Sequence, residues 1–354
     1  MPPYLERPRE KASNPRSMEA YAQAYVEHLK TINYAVQGVK YKHACLRWFI
    51  EWCRERGIDR IEMITRPVLQ RYQRYLHYAV NRHGKPLTTS TQCNRLTAVR
   101  TWFQFLMREN LLLYNPASEM EYPKREKRLP KHTLTAEEAE LVLAQPDLET
   151  PKGIRDRAIL EVLYSTGIRR AELLNLACHD VSASSGVLAI RQGKGKKDRF
   201  VPIGERALVW VEKYRDDVRP LHALPAGADN LFLEITGIKI DPHVVGRAVK
   251  KYVKQSGIEK TGSCHLFRHT MATLMLENGA DIRFIQQMLG HALLSTTEIY
   301  THVAIHKLKQ IHTLTHPGKL AKRKQPEPLT DEITAEELLA QLAEESEDEE
   351  SEDD

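Results

Sequence analysis

The residues best suited to chemistry lie between His265 and Tyr300. The stretch opens with His265-Leu-Phe-Arg268-His269, passes through an apolar segment to Leu289-Gly290-His291, and closes on Ser295-Thr-Thr-Glu298-Ile-Tyr300. A spacing of three on a helix sets His265 and Arg268 on one face. Two histidines and an arginine are cations and donors that suit phosphate oxygens. A tyrosine hydroxyl held beside them is able to attack the phosphorus. A phenol has a pKa of about 10, so it needs help in losing its proton.

Local signals indicate what holds these groups. Asp281 is placed to cap a helix whose apolar positions are Ile282, Ile285, Met288 and Leu289. Gly290 fits its C-terminal stop. Ser295 and Glu298 have capping-box spacing, which starts a further helix and carries Tyr300 into its first turns. Upstream, Thr135 and Glu138 form another capping box and open a helical region that runs to Cys178. Within it, Tyr164-Ser-Thr-Gly167-Ile-Arg169 ends one helix and starts the next. Val187 to Arg191 and Arg199 to Ile203 are β-prone runs flanking Gln192-Gly-Lys194-Gly-Lys196-Lys197-Asp198, a hairpin with a Gly/Lys tip. Helices resume near Gly204 and continue to Tyr300, with a Pro/Gly-rich loop around 220 to 230. His302 to Thr313 reads as a last helix, and His316-Pro317-Gly318 ends the folded part.

The N-terminal half reads as four helices. Residues 1 to 15 are rich in proline and charge and are expected to be extended. Helices are expected over Ser17 to Lys30, Val36 to Arg56, and from Thr65 (with Pro67 in the first turn) to about Asn81. Gly84-Lys-Pro86 is a turn. The Thr88-Thr-Ser-Thr91 cluster then leads into Leu96, Val99, Phe103 and Leu106, an apolar stripe with Arg95 and Arg100 off it. Asn115-Pro116 closes this region. Tyr122-Pro-Lys124-Arg125-Glu-Lys127-Arg128-Leu-Pro130-Lys131 follows, a composition that disfavours helix and suits a basic linker.

Composition points to a polyanionic partner. The formal charge of +5 hides a split. Residues 331 to 354 hold 13 acidic and no basic residues, so residues 1 to 330 carry 52 Lys and Arg against 34 Asp and Glu, or +18. Each phosphate contact made by such a surface releases condensed counterions. By itself this charge is equally compatible with an ordinary basic surface. No apolar run approaches the roughly 20 residues of a membrane helix, and the first residues lack a signal-peptide apolar segment. Five scattered cysteines form no C-x-x-C pair, which fits packed thiols in a reducing compartment.

Together the motifs resemble the tyrosine recombinase (phage integrase) family, and within it the Xer-like proteins. The resemblance rests on His265-x-x-Arg268, Leu289-Gly290-His291, and Tyr300 nine residues after that His. It also rests on Thr166-Gly167-Ile168-Arg169-Arg-Ala-Glu172-Leu173 and Gly193-Lys194-Gly195-Lys-Lys. It covers roughly residues 15 to 315. It implies a mainly α protein, with an all-α core-binding (SAM-like) domain over 16–114 and a basic linker over 115–133. An α+β catalytic domain with a small antiparallel sheet follows over 134–318. The tail, 319–354, is basic and then acidic, and lies outside the resemblance. Composition makes it a disordered segment, and a sharper reading has it compete with DNA for the basic surface.

The same resemblance implies residue roles. Tyr300 is the nucleophile. Arg169 and Arg268 clamp the non-bridging phosphate oxygens, Lys194 is the general acid, His265 exchanges protons near Tyr300, and His291 donates to the phosphate. Glu172 supports Arg169. DNA contacts are expected from Arg95, Arg100, Lys124, Arg125, Lys127, Arg128, Lys196 and Lys197. The implied partner is double-stranded DNA, bound by a dimer to tetramer of this chain that closes around the duplex. Need for a second recombinase or accessory protein is left open. No metal and no cofactor is expected, and the cytoplasm is the expected compartment. In the family a C-terminal helix docks on a neighbouring protomer, and His306 to Leu314 is the natural candidate.

Three rival readings compete with this one. The i, i+4 pairs His265/His269 and His302/His306 suit a zinc hydrolase, but no catalytic Glu lies between them and Arg268 disfavours a cation site. A type IB topoisomerase shares the chemistry, and a DNA-binding regulator shares the fold. The full ordered motif set favours the recombinase.

Overall fold

The computed structural model describes residues 17–81, 84–124, 132–191, 198–225, 229–290 and 302–318, with the backbone alone at 302–308. The chain forms two compact units.

The first unit is four helices: α1 (Met18–Thr31), α2 (Val36–Arg54), α3 (Arg66–Tyr78) and α4 (Thr89–Arg108). Side-chain caps start α1 and α4. Ser17 Oγ accepts from the Ala20 amide at 3.1 Å, and Thr88 Oγ1 from the Thr91 amide at 3.1 Å. Pro67 occupies the first turn of α3, where a missing N–H costs nothing. The expected stripe of Leu96, Val99, Phe103 and Leu106 is buried, beside Trp102, Phe49, Leu46 and Tyr72. Burial of these large side chains is the main force holding the unit, at roughly 1.5–3 kcal/mol each. Helix α3 stops at Tyr78, short of the expected Asn81. There Val80 turns extended and bridges Pro86, and the Leu87 amide donates to the Ala79 carbonyl at 3.0 Å. The first residues of the expected linker lie on this unit. Ala117 is buried, Tyr122 packs at the core edge, and Arg66 pairs with Glu119 at 2.5 Å.

The second unit surrounds one helix. It begins with α5 (Ala136–Leu143), α6 (Pro151–Thr166) and α7 (Arg170–Asn175). The expected capping box opens α5: the Glu138 amide donates to Thr135 Oγ1 at 3.2 Å, and the Thr135 amide to Glu138 Oε2 at 2.8 Å. Strands β1 (Val181–Ser182), β2 (Val187–Ile190) and β3 (Arg199–Pro202) form an antiparallel sheet in that order. Leu188 faces Val201 and Ile190 faces Arg199. The hairpin was legible from sequence, while β1 is two residues long and leaves no periodic signal. Helix α8 (Glu205–Lys213) runs into a π turn over Tyr214–Val218. Then come α9 (Pro242–Gln255), α10 (Cys264–Glu277), α11 (Ile282–Leu289) and α12 (His302–Thr315).

Helix α6 is buried on nearly every side, with Ile159, Leu160, Val162 and Leu163 inside. Its charged residues are paired, as burial requires. Arg155 holds Asp156 at 2.7 Å, and Glu161 takes Arg157 at 2.7 Å and Arg206 at 3.0 Å. No described helix is long and apolar enough to cross a membrane.

Candidate active site

Helix α10 brings His265 and Arg268 into the interior of the second unit, 8% and 1% exposed. A buried guanidinium needs compensating dipoles. Arg268 finds them in two backbone carbonyls. Nη1 donates to Gly167 O at 2.6 Å and Nη2 to Leu289 O at 2.9 Å. One arginine thus ties the α6–α7 break to the end of α11. Both ends are glycine-controlled. Gly167 and Gly290 sit in the left-handed region at φ 59° and 69°, as helix stops. A Cβ on Gly167 would lie 2.3 Å from Met271 Cε. Asp281 caps α11 as expected, accepting from the Arg283 amide at 2.8 Å.

Arg169 stands at the start of α7. Its amide donates to Glu172 Oε2 at 2.9 Å, and its Nη1 to Glu172 Oε1 at 3.3 Å. The expected support of Arg169 by Glu172 is therefore present geometrically. It is the weaker of two pairings. Arg199, first residue of β3, grips the same carboxylate with Nη1 at 2.8 Å and Nη2 at 2.7 Å. Its Nε donates to Met288 O at 3.1 Å. Burial would raise the Glu172 pKa, but the bonds and charge of Arg199, with the charge of Arg169, bring it down to about 2. Glu172 is thus a fixed anion between two arginines. In the sequence Arg199 stands out only as a strand residue. The available signal was a cation opening a short strand just after a Lys-rich turn.

Several site residues lie outside the described residues: Lys194, Lys196 and Lys197 in the β2–β3 connection, His291, Tyr300, and Arg125, Lys127 and Arg128. The capping box at Ser295 and Glu298 also falls there. Their described flanks are Ile190 paired with Arg199, Gly290, and α12 from His302. His269 is 3% exposed on α10, in keeping with a packing role.

The end of α12 packs within its own chain. His312 Nε2 meets Ser165 O at 2.7 Å, His316 Nε2 meets Tyr164 O at 2.8 Å, and Asn278 Nδ2 donates to Thr315 O at 2.7 Å. His312 and Thr315 are buried. The carbonyls at the end of α6 need partners, and these histidines supply them.

In the first unit, Arg95 and Arg100 lie on α4 and are half-buried. The Arg95 guanidinium lies 4.1 Å from the Trp48 ring centroid, and that of Arg100 5.6 Å from Tyr122. Stacking fixes a guanidinium plane while keeping its charge. Lys124 is exposed.

The mostly helical body with its three-stranded antiparallel sheet has counterparts among known proteins. The phage integrase family profile matches residues 132–307. The chain is 47% identical over 318 residues to tyrosine recombinase XerC 2 of Ralstonia nicotianae, covering 89% of this chain and 91% of that protein. It is 40% identical over 243 residues to tyrosine recombinase XerD of Pseudomonas putida, covering 69% and 80%. Among solved structures, the XerH site-specific recombinase bound to difH substrate superposes with TM-score 0.60 and 18% identity, over 86% of this chain and 83% of that one. A lambda integrase tetramer bound to a Holliday junction gives 0.58 and 17%, over 87% and 80%. These two likenesses concern the fold. The chain belongs to the phage integrase family, the tyrosine recombinases.

Proposed function

We propose that this protein is a site-specific DNA recombinase that cuts and rejoins DNA through a covalent 3′-phosphotyrosyl intermediate. The Tyr300 oxygen attacks the scissile phosphorus, a P–O bond to Tyr300 forms, and the P–O5′ bond breaks. The phenolic proton leaves with the help of His265, and Lys194 protonates the departing 5′-oxygen. Arg169 and Arg268 hold the non-bridging oxygens, and His291 adds a hydrogen bond. Charge spread over those oxygens in the transition state makes fixed donors the largest catalytic contribution. Attack by another strand's 5′-hydroxyl reverses the step. The bond to Tyr300 conserves the phosphodiester energy, so the chemistry runs without ATP or metal.

One observation carries this reading. Arg268 bonds the carbonyl of Gly167, two residues before Arg169, so the two arginines share one rigid support. The relatives named XerC and XerD favour recombination over DNA relaxation or pure regulation. On this reading 16–114 is the core-binding domain and 134–318 the catalytic domain. Arg95, Arg100, Lys124 and the basic residues of 125–128 and 196–197 contact the DNA backbone. Four copies act on two sites in the cytoplasm. The test is covalent capture from genomic DNA in the presence of a chelator, followed by denaturation. DNA-linked protein is the expected result, and capture that depends on divalent metal would overturn the reading.

A further inference from the structure

Arg199 is heavily committed to its neighbours. All three guanidinium nitrogens are occupied: Nη1 and Nη2 by Glu172 at 2.8 and 2.7 Å, and Nε by Met288 O at 3.1 Å. Its side chain is 11% exposed. The guanidinium also lies against the turn at Gly290, where a Cβ would stand 3.0 Å from its Cζ and Nε. Any side chain at 290 would push it away, quite apart from the left-handed backbone.

These contacts join three elements. Through Glu172, Arg199 reaches the Arg169 amide at 2.9 Å and so fixes the first turn of α7. Through Met288 it fixes the last turn of α11. Arg268 takes the very next carbonyl, Leu289 O, at 2.9 Å. The end of α11 is thus held by two arginines, one from β3 and one from α10. Arg169 and Arg268 are linked twice, once by Gly167 and once through Glu172, Arg199 and α11.

We propose that Arg199 is a positioning residue for strand cleavage, which sets the Arg169 and Arg268 donors in register across the site. This rests on the recombinase reading of the same site. Each of the three Arg199 nitrogens already holds a protein acceptor, which fixes the guanidinium as a brace within the fold. The function requires its planar fork and not merely its charge. A lysine is a compact point charge whose three N–H groups lack the planar fork that spans both Glu172 oxygens and Met288 O. A misplacement of about 1 Å at a catalytic donor costs on the order of 100-fold in rate.

The test uses full-length wild type, Arg199→Lys and Arg199→Gln. Without DNA, amide hydrogen exchange is read over 169–174, 286–290 and, as control, 136–143. In Arg199→Lys the first two segments are expected to exchange about tenfold faster, with the control unchanged. No change, or loosening of the whole second unit, would overturn the brace. With DNA, a duplex bearing the sequence captured by wild type is made with an ordinary linkage and with sulfur at the bridging 5′ position. Arg199→Lys is expected to bind like wild type and cleave both duplexes about 100-fold more slowly than wild type cleaves them. Wild-type cleavage by Arg199→Lys would show that charge alone suffices. Recovery on the sulfur duplex, whose leaving group needs no proton, would move the role to leaving-group protonation. Either outcome overturns the proposal. If wild type captures no DNA, the recombinase reading fails while the exchange measurement still decides the brace.

Discussion

Arg268 donates from Nη1 to the carbonyl of Gly167 at 2.6 Å, joining residues 101 positions apart in sequence. This bond fixes the guanidinium and makes its role geometric as well as electrostatic. Arg268→Lys keeps the charge but cannot reach Gly167 O and Leu289 O together. Cleavage is expected to fall by about 1000-fold, the scale of losing a transition-state donor, with DNA affinity nearly kept. Single-turnover cleavage and a binding titration check this.

Gly167 supplies that acceptor from a left-handed backbone at φ 59°. Gly167→Ala is expected to cost about 1–2 kcal/mol from backbone strain. The contact with Met271 Cε adds little, because that methyl ends a flexible side chain. Denaturant unfolding measures the loss. Activity should fall further than stability, since the carbonyl aimed at Arg268 shifts with the turn.

Glu172 gives the protein an acid limit. Its carboxyl sits at about 2 against an ordinary 4.5. A depressed carboxylate stabilises the folded state fully above its unfolded pKa, and this contribution is lost as pH falls through the folded value. The window is therefore about 4.5 down to about 2, and the contribution is about 3 kcal/mol. In unfolding experiments at about pH 6 and about pH 3, wild type should lose most of this stability, about 2 kcal/mol, on acidification and Glu172→Gln should not. Equal slopes would contradict the Arg199–Glu172 pairing.

Much of this fold was legible because the signals are local. The Thr135/Glu138 box, the Asp281 cap, the Gly167 and Gly290 stops and the Leu96–Leu106 stripe each involve residues within a few turns of one another. The Arg169–Glu172 pair was legible for the same reason. Arg199 was not, because its partner is 27 residues away and the two meet only once the sheet packs on α7. Nor was the docking of His312 on Ser165, across 147 residues. Helix α3 stops at Tyr78 because Pro86, six residues beyond Val80, turns the chain back to bridge it.

Lys194→Ala should slow cleavage far more than it weakens DNA binding, since a general acid contributes about 100- to 10,000-fold. Equal loss in both assays would make Lys194 an ordinary backbone contact.

The acidic tail offers a separate test. Truncation after Lys324 removes the 13 acidic residues of 331–354. DNA binding by the shortened protein should be unchanged or tighter, and any gain should shrink with added salt. Weaker binding would end the idea that the tail competes with DNA.

The central claim is that Tyr300 carries the DNA strand. The direct measurement is to capture wild type on DNA, digest with nuclease and protease, and locate the nucleotide-bearing peptide by mass spectrometry. A phosphodeoxynucleotide is expected on Tyr300 and none in Tyr300→Phe. A nucleotide on any other residue, or undiminished capture by Tyr300→Phe, would contradict it.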